Sequence, residues 1–593
     1  MIKTRASFPT DEAMSKLFYL ALNNISKKWT MPIRNWKAAL NRFSIPVRRS
    51  IDAGLMEIPF THNPGHPRRP GNQALIQVQN MLWRNLMVFF TLLAPLGGCN
   101  LPPLDNRSTA SALDQVETLE TPLGRAVAPR ARANPKKSGI HALSDPHDAF
   151  AARALLARAA EKTLDVQYYI WHGDITGTLL FDELRAAAER GVRVRLLLDD
   201  NGTSGVDTEL AALNSHSNIE IRLFNPFVFR KAKAIGYVTN FMRANRRMHN
   251  KSFTADSQAS IIGGRNVGDE YFGATEGILF ADLDVLAVGP VVADVSTDFD
   301  RYWASGSSYP VDLILPPAVG SALTSVAAAA KKTAESPAAA EYIRAIRDSG
   351  FITGLLEGEL DFEWADTRMV SDDPAKGLGK AVPSELMIHQ LGGILGSPQS
   401  HVELVSPYFV PTTEGVDVFT GMAKRGVSVR VLTNSLDATD VAAVHAGYAK
   451  RRKALLKGGV VLYEMRRLAS GNKRNESAGA FGSSGSSLHA KTFAVDQARV
   501  YIGSFNFDPR SANLNTELGF VIESPTMANA IEKAFDESIP LSAYEVRLSS
   551  GGQIYWIENR DGEEVRHDSE PETGFWKRTA VSLLSILPIE WML

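Results

Sequence analysis

The pattern His-x-Lys-x-x-x-x-Asp occurs twice in this chain, as His249–Lys251–Asp256 and as His489–Lys491–Asp496. After the same six-residue gap, each copy runs into a shared second signature, Gly263-Gly264-Arg265-Asn266 and Gly503-Ser504-Phe505-Asn506. One copy is a weak pattern. Two copies with matched extensions constrain the fold to homologous halves that share one site.

The repeat reaches outward from the motifs. Leu164–Tyr169 reads as a strand, followed by a helical pattern through Leu179–Arg190 and a buried strand over Gly191–Leu198. The second half repeats this order with Val402–Phe409, Val416–Arg425 and Gly426–Leu432. Both helices end at a glycine, a common helix stop, and lead into β-branched runs. A further strand, Ile219–Phe224 or Val460–Tyr463, precedes each motif at nearly the same distance. Beyond the motifs, Asp282 stands eight residues before Pro290 and Glu517 eight before Pro525, each leading into an apolar strand. The two carboxylates are therefore equivalent. Strands alternating with helices predict an α/β fold of two lobes, 138–367 and 368–545, each a mostly parallel sheet flanked by helices.

The residue types name a chemistry. A phosphodiester is anionic, so a nucleophile must approach through screened charge. Neutral imidazole can attack phosphorus and remains a competent leaving group. A second histidine across the phosphorus can protonate the departing oxygen and then activate the incoming alcohol or water. On this reading His249 forms the phosphoenzyme and His489 is general acid, then base. Lys251 and Lys491 supply cationic donors, while Asn266, Asn506, Gly264 and Ser504 bind the phosphate oxygens. Asp282 and Glu517 support the histidines by accepting a ring N–H. Asp256 and Asp496 complete the catalytic motifs, more as props of the pocket than as reactants. A metal mechanism fits poorly, because each histidine is followed by a lysine that repels divalent cations. No cofactor is expected.

The remaining segments bear on location. Net charge is −1, so binding nucleic acid would need a local basic patch, and none is expected. The single cysteine, Cys99, excludes an intrachain disulfide framework. It ends the short apolar run Leu82–Gly98, which starts after basic residues and closes on Leu-Gly-Gly-Cys. That is the pattern of a bacterial secretory signal with a lipidation site at Cys99. The basic stretch 1–80 precedes this signal and reads as an over-extended start or a disordered extension. Residues 100–137, rich in Pro, Ala, Ser and Arg, read as a flexible linker. Ala469–Ser487, dominated by Gly, Ser, Ala and Asn, reads as a mobile loop before His489. Residues 546–593 end in an apolar surface flanked by Trp576, Lys577, Arg578 and Trp591, which suits either a membrane-interface tail or a packed terminal helix.

The doubled motif is that of the phospholipase D superfamily. The segments Leu164-Asp-Val-Gln-Tyr-Tyr-Ile-Trp171, Asn245-Arg-Arg-Met-His-Asn-Lys251, His445-Ala-Gly-Tyr448, Gly503-Ser-Phe-Asn-Phe-Asp-Pro-Arg510 and the terminal Leu-Pro-Ile-Glu-Trp-Met-Leu resemble C-type bacterial cardiolipin synthases. The resemblance covers roughly Ser138 to Leu593. It implies a membrane-associated phosphatidyltransferase that makes cardiolipin from phosphatidylglycerol and a second phospholipid, phosphatidylethanolamine being a candidate donor, without metal or nucleotide. An accessory protein stays an open question. A hydrolase releasing phosphatidic acid and a superfamily nuclease use the same site chemistry, and both stay open here. The lipobox-like segment departs from the family pattern and raises a periplasm-facing, lipid-anchored location.

Overall fold

The computed structural model describes residues 101–593, apart from 106, 231–232, 274–281, 468–487 and 561. The stretch 1–80, the signal-like segment with Cys99, and the Ala469–Ser487 loop lie outside the described residues.

Two sheets carry the fold. The first has nine strands, in the order Ser308–Pro310, Ile219–Phe224, Arg193–Gly202, Thr163–Ile170, Ser252–Ala255, Ala259–Gly263, Asp284–Val288, Ser138–Leu143 and Glu363–Ala365. The second has ten: Thr367–Ser371, Leu518–Glu523, Arg499–Gly503, Thr492–Val495, His401–Val405, Ser428–Asn434, Val461–Met465, Ala543–Leu548, Ile554–Arg560 and Glu563–His567. The chain passes from one sheet to the other at Asp366, between strands at their edges.

The sheets are mixed rather than mostly parallel. Parallel pairing is confined to Thr163–Ile170, Arg193–Gly202 and Ile219–Phe224, and to their counterparts His401–Val405, Ser428–Asn434 and Val461–Met465. These are the strands joined by crossover helices, which the helical periodicity revealed. Each motif strand then returns on the far side of the first strand and forms an antiparallel hairpin with its successor. A tight hairpin can only join antiparallel strands.

An apolar cluster joins the lobes, with Ile262, Val285 and Ala287 of the first packed in common with Leu432, Ile502 and Phe520 of the second. Burial of this kind stabilises by about 25 cal/mol per Å² of apolar surface. The lobes are therefore held as one body through their core as well as through the site.

Two boundaries differ from expectation. Residues 100–137 are not a free linker. A 3-10 turn, Gln115–Thr118, starts from a capping box at Asp114, and a helix, Pro122–Ala133, starts from Thr121 with proline in its first turn. Leu123 and Val127, four apart on one face, are buried against the first lobe. The Ala/Arg/Pro composition masked this stripe of two residues. The next helix, Pro146–Ala159, starts where Asp145 caps it.

At the other end, 546–574 is no tail. Ala543–Leu548, Ile554–Arg560 and Glu563–His567 extend the second sheet as an antiparallel meander. Only then does a helix follow, Phe575–Ile586, after which Ile589, Met592 and Leu593 are buried again. The packed alternative for the terminus is thus met by Val581 and by these last residues.

Candidate active site

Each motif histidine sits in the extended segment just before a strand, Ser252–Ala255 or Thr492–Val495. The residue before each histidine is anchored from the second parallel strand of its lobe, one strand beyond the motif strand's neighbour. Asp199 accepts the backbone N–H of Met248 at 2.7 Å, and Asn434 exchanges two hydrogen bonds with the backbone of Leu488, at 3.2 and 3.1 Å. These anchors were not singled out from sequence, although a signal existed: each stands eight residues after the glycine that ends the crossover helix, Gly191 or Gly426.

The lobes exchange their supporting carboxylates. His249 Nδ1 lies 2.8 Å from Glu517 Oε2, and His489 Nδ1 lies 2.7 Å from Asp282 Oδ2. Each histidine is therefore oriented by the opposite half of the repeat. Backbone bonds brace the same seam, with the N–H of His249 donated to the carbonyl of Thr516 at 2.9 Å and that of Thr516 returned to Arg247 at 2.9 Å.

Lys251 and Lys491 are both 2% exposed, and each folds back so that its ammonium donates to the carbonyl of its own motif histidine. Lys491 also stands 3.1 Å from His489 Nδ1. Burial and the opposing ammonium of Lys491 lower Lys251 to about 7, and burial lowers Lys491 to about 8 against the pull of nearby carboxylates. Burial, then the two lysines, holds His249 well below its ordinary value. Burial and Lys491 bring His489 to about 4, with Asp282 opposing. Both imidazoles are neutral at pH 7, the form that can attack phosphorus. A buried pair of ammonium groups is costly unless an anion arrives between them.

The aromatic wall was not assigned from sequence. Tyr169 packs edge-on to His249 at 4.9 Å, and Tyr271 edge-on to His489 at 5.1 Å. The Tyr408 hydroxyl contacts both carboxylate oxygens of Asp440 at 3.0 Å, and burial raises Asp440 to about 6. Asn506 is 4% exposed with its side-chain oxygen unpartnered, whereas Asn266 accepts the N–H of Ile170 at 3.2 Å. Both atoms are acceptors, so the side-chain N–H groups of the two residues, not these oxygens, are the ones that can donate to a phosphate.

Several expected roles change. Asp256 and Asp496 lie at the far ends of their strands, in turns with φ of 50° and 54°. Asp256 accepts the backbone N–H groups of Glu161, Lys162 and Thr163, and Asp496 those of Gln399, Ser400 and His401. They pin the first strand of each lobe to its motif hairpin and do not face the histidines. Ser504 does not face phosphate either: its hydroxyl donates to Glu517 at 2.6 Å and accepts from Leu518 at 3.0 Å. Its counterpart Gly264 supplies space, since a Cβ there would stand 2.1 Å from Asp282 Oδ1. The second signature thus seats the carboxylates. Among the described residues, His172, Asp174 and Glu270 bring possible metal-ligand atoms within 4.8 Å of one another, but Asp174 already caps a helix, and neither motif histidine belongs to the group.

Comparison with known proteins follows the same duplication. The family model described as "Cardiolipin synthase, PLD-like domain" matches residues 154–303 and 392–539, one copy per lobe. Cardiolipin synthase C of Escherichia coli K12 is 51% identical over 471 residues, covering 79% of this chain and 99% of that protein. An uncharacterized protein of Helicobacter pylori J99 is 32% identical over 475 residues, covering 79% of this chain and 92% of that protein. Among solved structures, the phosphatidylserine synthase of Haemophilus influenzae has 14% identity and a TM-score of 0.48, covering 78% of this chain and 99% of that one. The chain belongs to the cardiolipin synthase family with the phospholipase D-like domain.

Proposed function

We propose that this protein transfers a phosphatidyl group to phosphatidylglycerol, giving cardiolipin through a phosphohistidine. The observation that carries this reading is the crossed pair His249–Glu517 and His489–Asp282, set beside two buried lysines. His249 attacks the phosphorus of a donor phospholipid while Lys251 and Lys491 hold the non-bridging oxygens, with Asn506 as a further donor. His489, neutral in the empty site, takes up a proton when the anionic phosphodiester binds between the lysines and delivers it to the departing head group. It then takes the proton from a hydroxyl of phosphatidylglycerol as that oxygen displaces His249. The unequal carboxylates support this division of labour. Burial works against ionisation of Asp282, but its hydrogen bond to His489, with Lys491 and Arg265, holds it well below the usual carboxylate range, so it favours a cationic His489. Burial instead pushes Glu517 up to about 7, despite Lys251 and Ser504, so it lends His249 less cationic character.

Cardiolipin synthase C of Escherichia coli, with its 51% identity, supports the substrate class. Phosphatidylethanolamine is the proposed donor. Cys99 is proposed as a lipid anchor that places the site on the outer side of the bacterial inner membrane, and loss of labelled fatty acid from the protein on Cys99→Ser substitution would support it. The deciding experiment incubates the protein with labelled phosphatidylglycerol and phosphatidylethanolamine and resolves the lipid products. Cardiolipin is the expected product; phosphatidic acid alone would replace the transferase with a hydrolase.

A further inference from the structure

The helix Phe575–Ile586 has two apolar faces. Its inner face packs Val581 and Leu584 against Leu436, Ala442 and Ala446 of the second lobe. Its outer face meets solvent, with Phe575 66%, Trp576 80%, Leu583 62% and Ile586 76% exposed. At 100° per residue these four side chains fall within an arc of about 100°. Scattered exposed apolar residues are ordinary, whereas four large ones on one helical face mark a contact surface.

We infer that this face docks on an anionic phospholipid bilayer and holds the second-lobe side of the cleft against it. The inference rests on the proposed reading that the substrate is a membrane lipid, since such a site must come within reach of the bilayer interface. Twelve residues make a helix of about 18 Å, too short to cross a bilayer, and no helix among the described residues is long and apolar enough to do so. Trp576 lies on the outer arc at one end and suits the headgroup layer, while Lys577 and Arg578 lie off that arc in the same turn, with Arg578 donating to the Thr573 carbonyl at 2.9 Å, and bring positive charge to its margin.

The helix is also tied to the cleft at both ends of its packing. Leu436, under the inner face, lies two residues beyond Asn434, the anchor of Leu488 beside His489. After the helix the chain turns back, Glu590 pairs with Arg451 at 2.7 Å, and the Leu593 carbonyl accepts the N–H of Arg510 at 2.7 Å. The Arg510 side chain in turn reaches across the seam to Asn245.

The lone cysteine allows a direct test. In the full chain, Cys99→Ser with Leu583→Cys leaves one thiol, which is labelled with an environment-sensitive fluorophore and mixed with phosphatidylglycerol/phosphatidylethanolamine vesicles. The expected result is a blue-shifted emission that bromine-substituted lipid quenches. A label that stays aqueous while the protein sediments with the vesicles would overturn the docking. A full chain that is dimeric without lipid and becomes monomeric on Trp576→Glu/Leu583→Glu substitution would assign the face to a second copy instead. Built on the Cys99→Ser chain, that double variant should bind vesicles about tenfold or more weakly than Cys99→Ser alone, while its turnover of detergent-dispersed lipid stays within about twofold. If the label inserts but no lipid form is turned over, the functional reading fails and the docking stands.

Discussion

The two lobes present the same residues to the cleft and treat them differently. His249 leans on a glutamate with no exposed surface that also takes the Ser504 hydroxyl, and burial pushes that carboxyl up to about 7. His489 leans on an aspartate with Gly264 beneath it, Arg265 nearby and a measure of exposure, and that carboxyl stays ionised. A duplicated motif thus does not mean duplicated roles. One longer side chain and one hydroxyl, both from the second lobe, give the two histidines different supports, and the proposed division into nucleophile and acid–base group rests on that difference. Pairs of titratable groups whose surroundings drive them apart are a common way to make that separation.

Removing the histidines should give the largest effect. His249→Ala and His489→Ala are each expected to lower kcat by at least about 10³-fold, with the double variant scarcely worse than either, because both serve one reaction. Mass spectrometry separates the roles. A lipid-phosphate adduct on His249 should build up in the His489→Ala protein, and an adduct on His489 instead would reverse the assignment.

The carboxylates give a smaller contrast of opposite sign. Glu517 has its folded value raised from 4.5 to about 7, so it contributes stability that is complete below about pH 4.5 and lost as pH rises through 7. Glu517→Gln should therefore be more stable than the parent at pH 8, by on the order of 2–3 kcal/mol and seen as a higher Tm, and match it near pH 4.5. Asp282 has a lowered folded value, so its contribution is present above about 3.8 and disappears as pH falls through that lowered value. Asp282→Asn should lower Tm at pH 7, with the gap closing in acid. Thermal scans from pH 8 down to well below pH 3.8 check both, and parallel curves would erase the difference between the lobes.

Asp256→Ala and Asp496→Ala should have the smallest effect on chemistry. Each strands three backbone donors, a loss of about 1–3 kcal/mol in stability. Assayed well below their Tm, both should keep kcat within about threefold. A loss as deep as that of the histidine variants would put these aspartates back in the reaction.

Sequence periodicity located the duplicated lobes, the histidine–lysine pairs and both distal carboxylates, because each lies at a fixed spacing within a repeat. It misread the sheets as mostly parallel, since the crossover helices announce parallel strands and nothing local announces the return hairpins. It misread residues 100–137 because two buried side chains on one helix are too few to show through a Pro/Ala/Arg composition. Ser504 looked like a phosphate ligand only because its partner Glu517, thirteen residues away, was not yet known to sit beneath it.

Sequence alone determined the chemistry, since two histidines and two lysines in repeated frames leave few reactions open. Tertiary structure alone decided which carboxylate serves which histidine. The spacing makes Asp282 and Glu517 equivalent without pairing them, and the fold gives each histidine the carboxylate of the facing lobe. The physical reason is the apolar seam. Burying Ile262 and Val285 against Ile502 and Phe520 presses the ends of the two sheets together, so each histidine meets the carboxylate of the facing lobe.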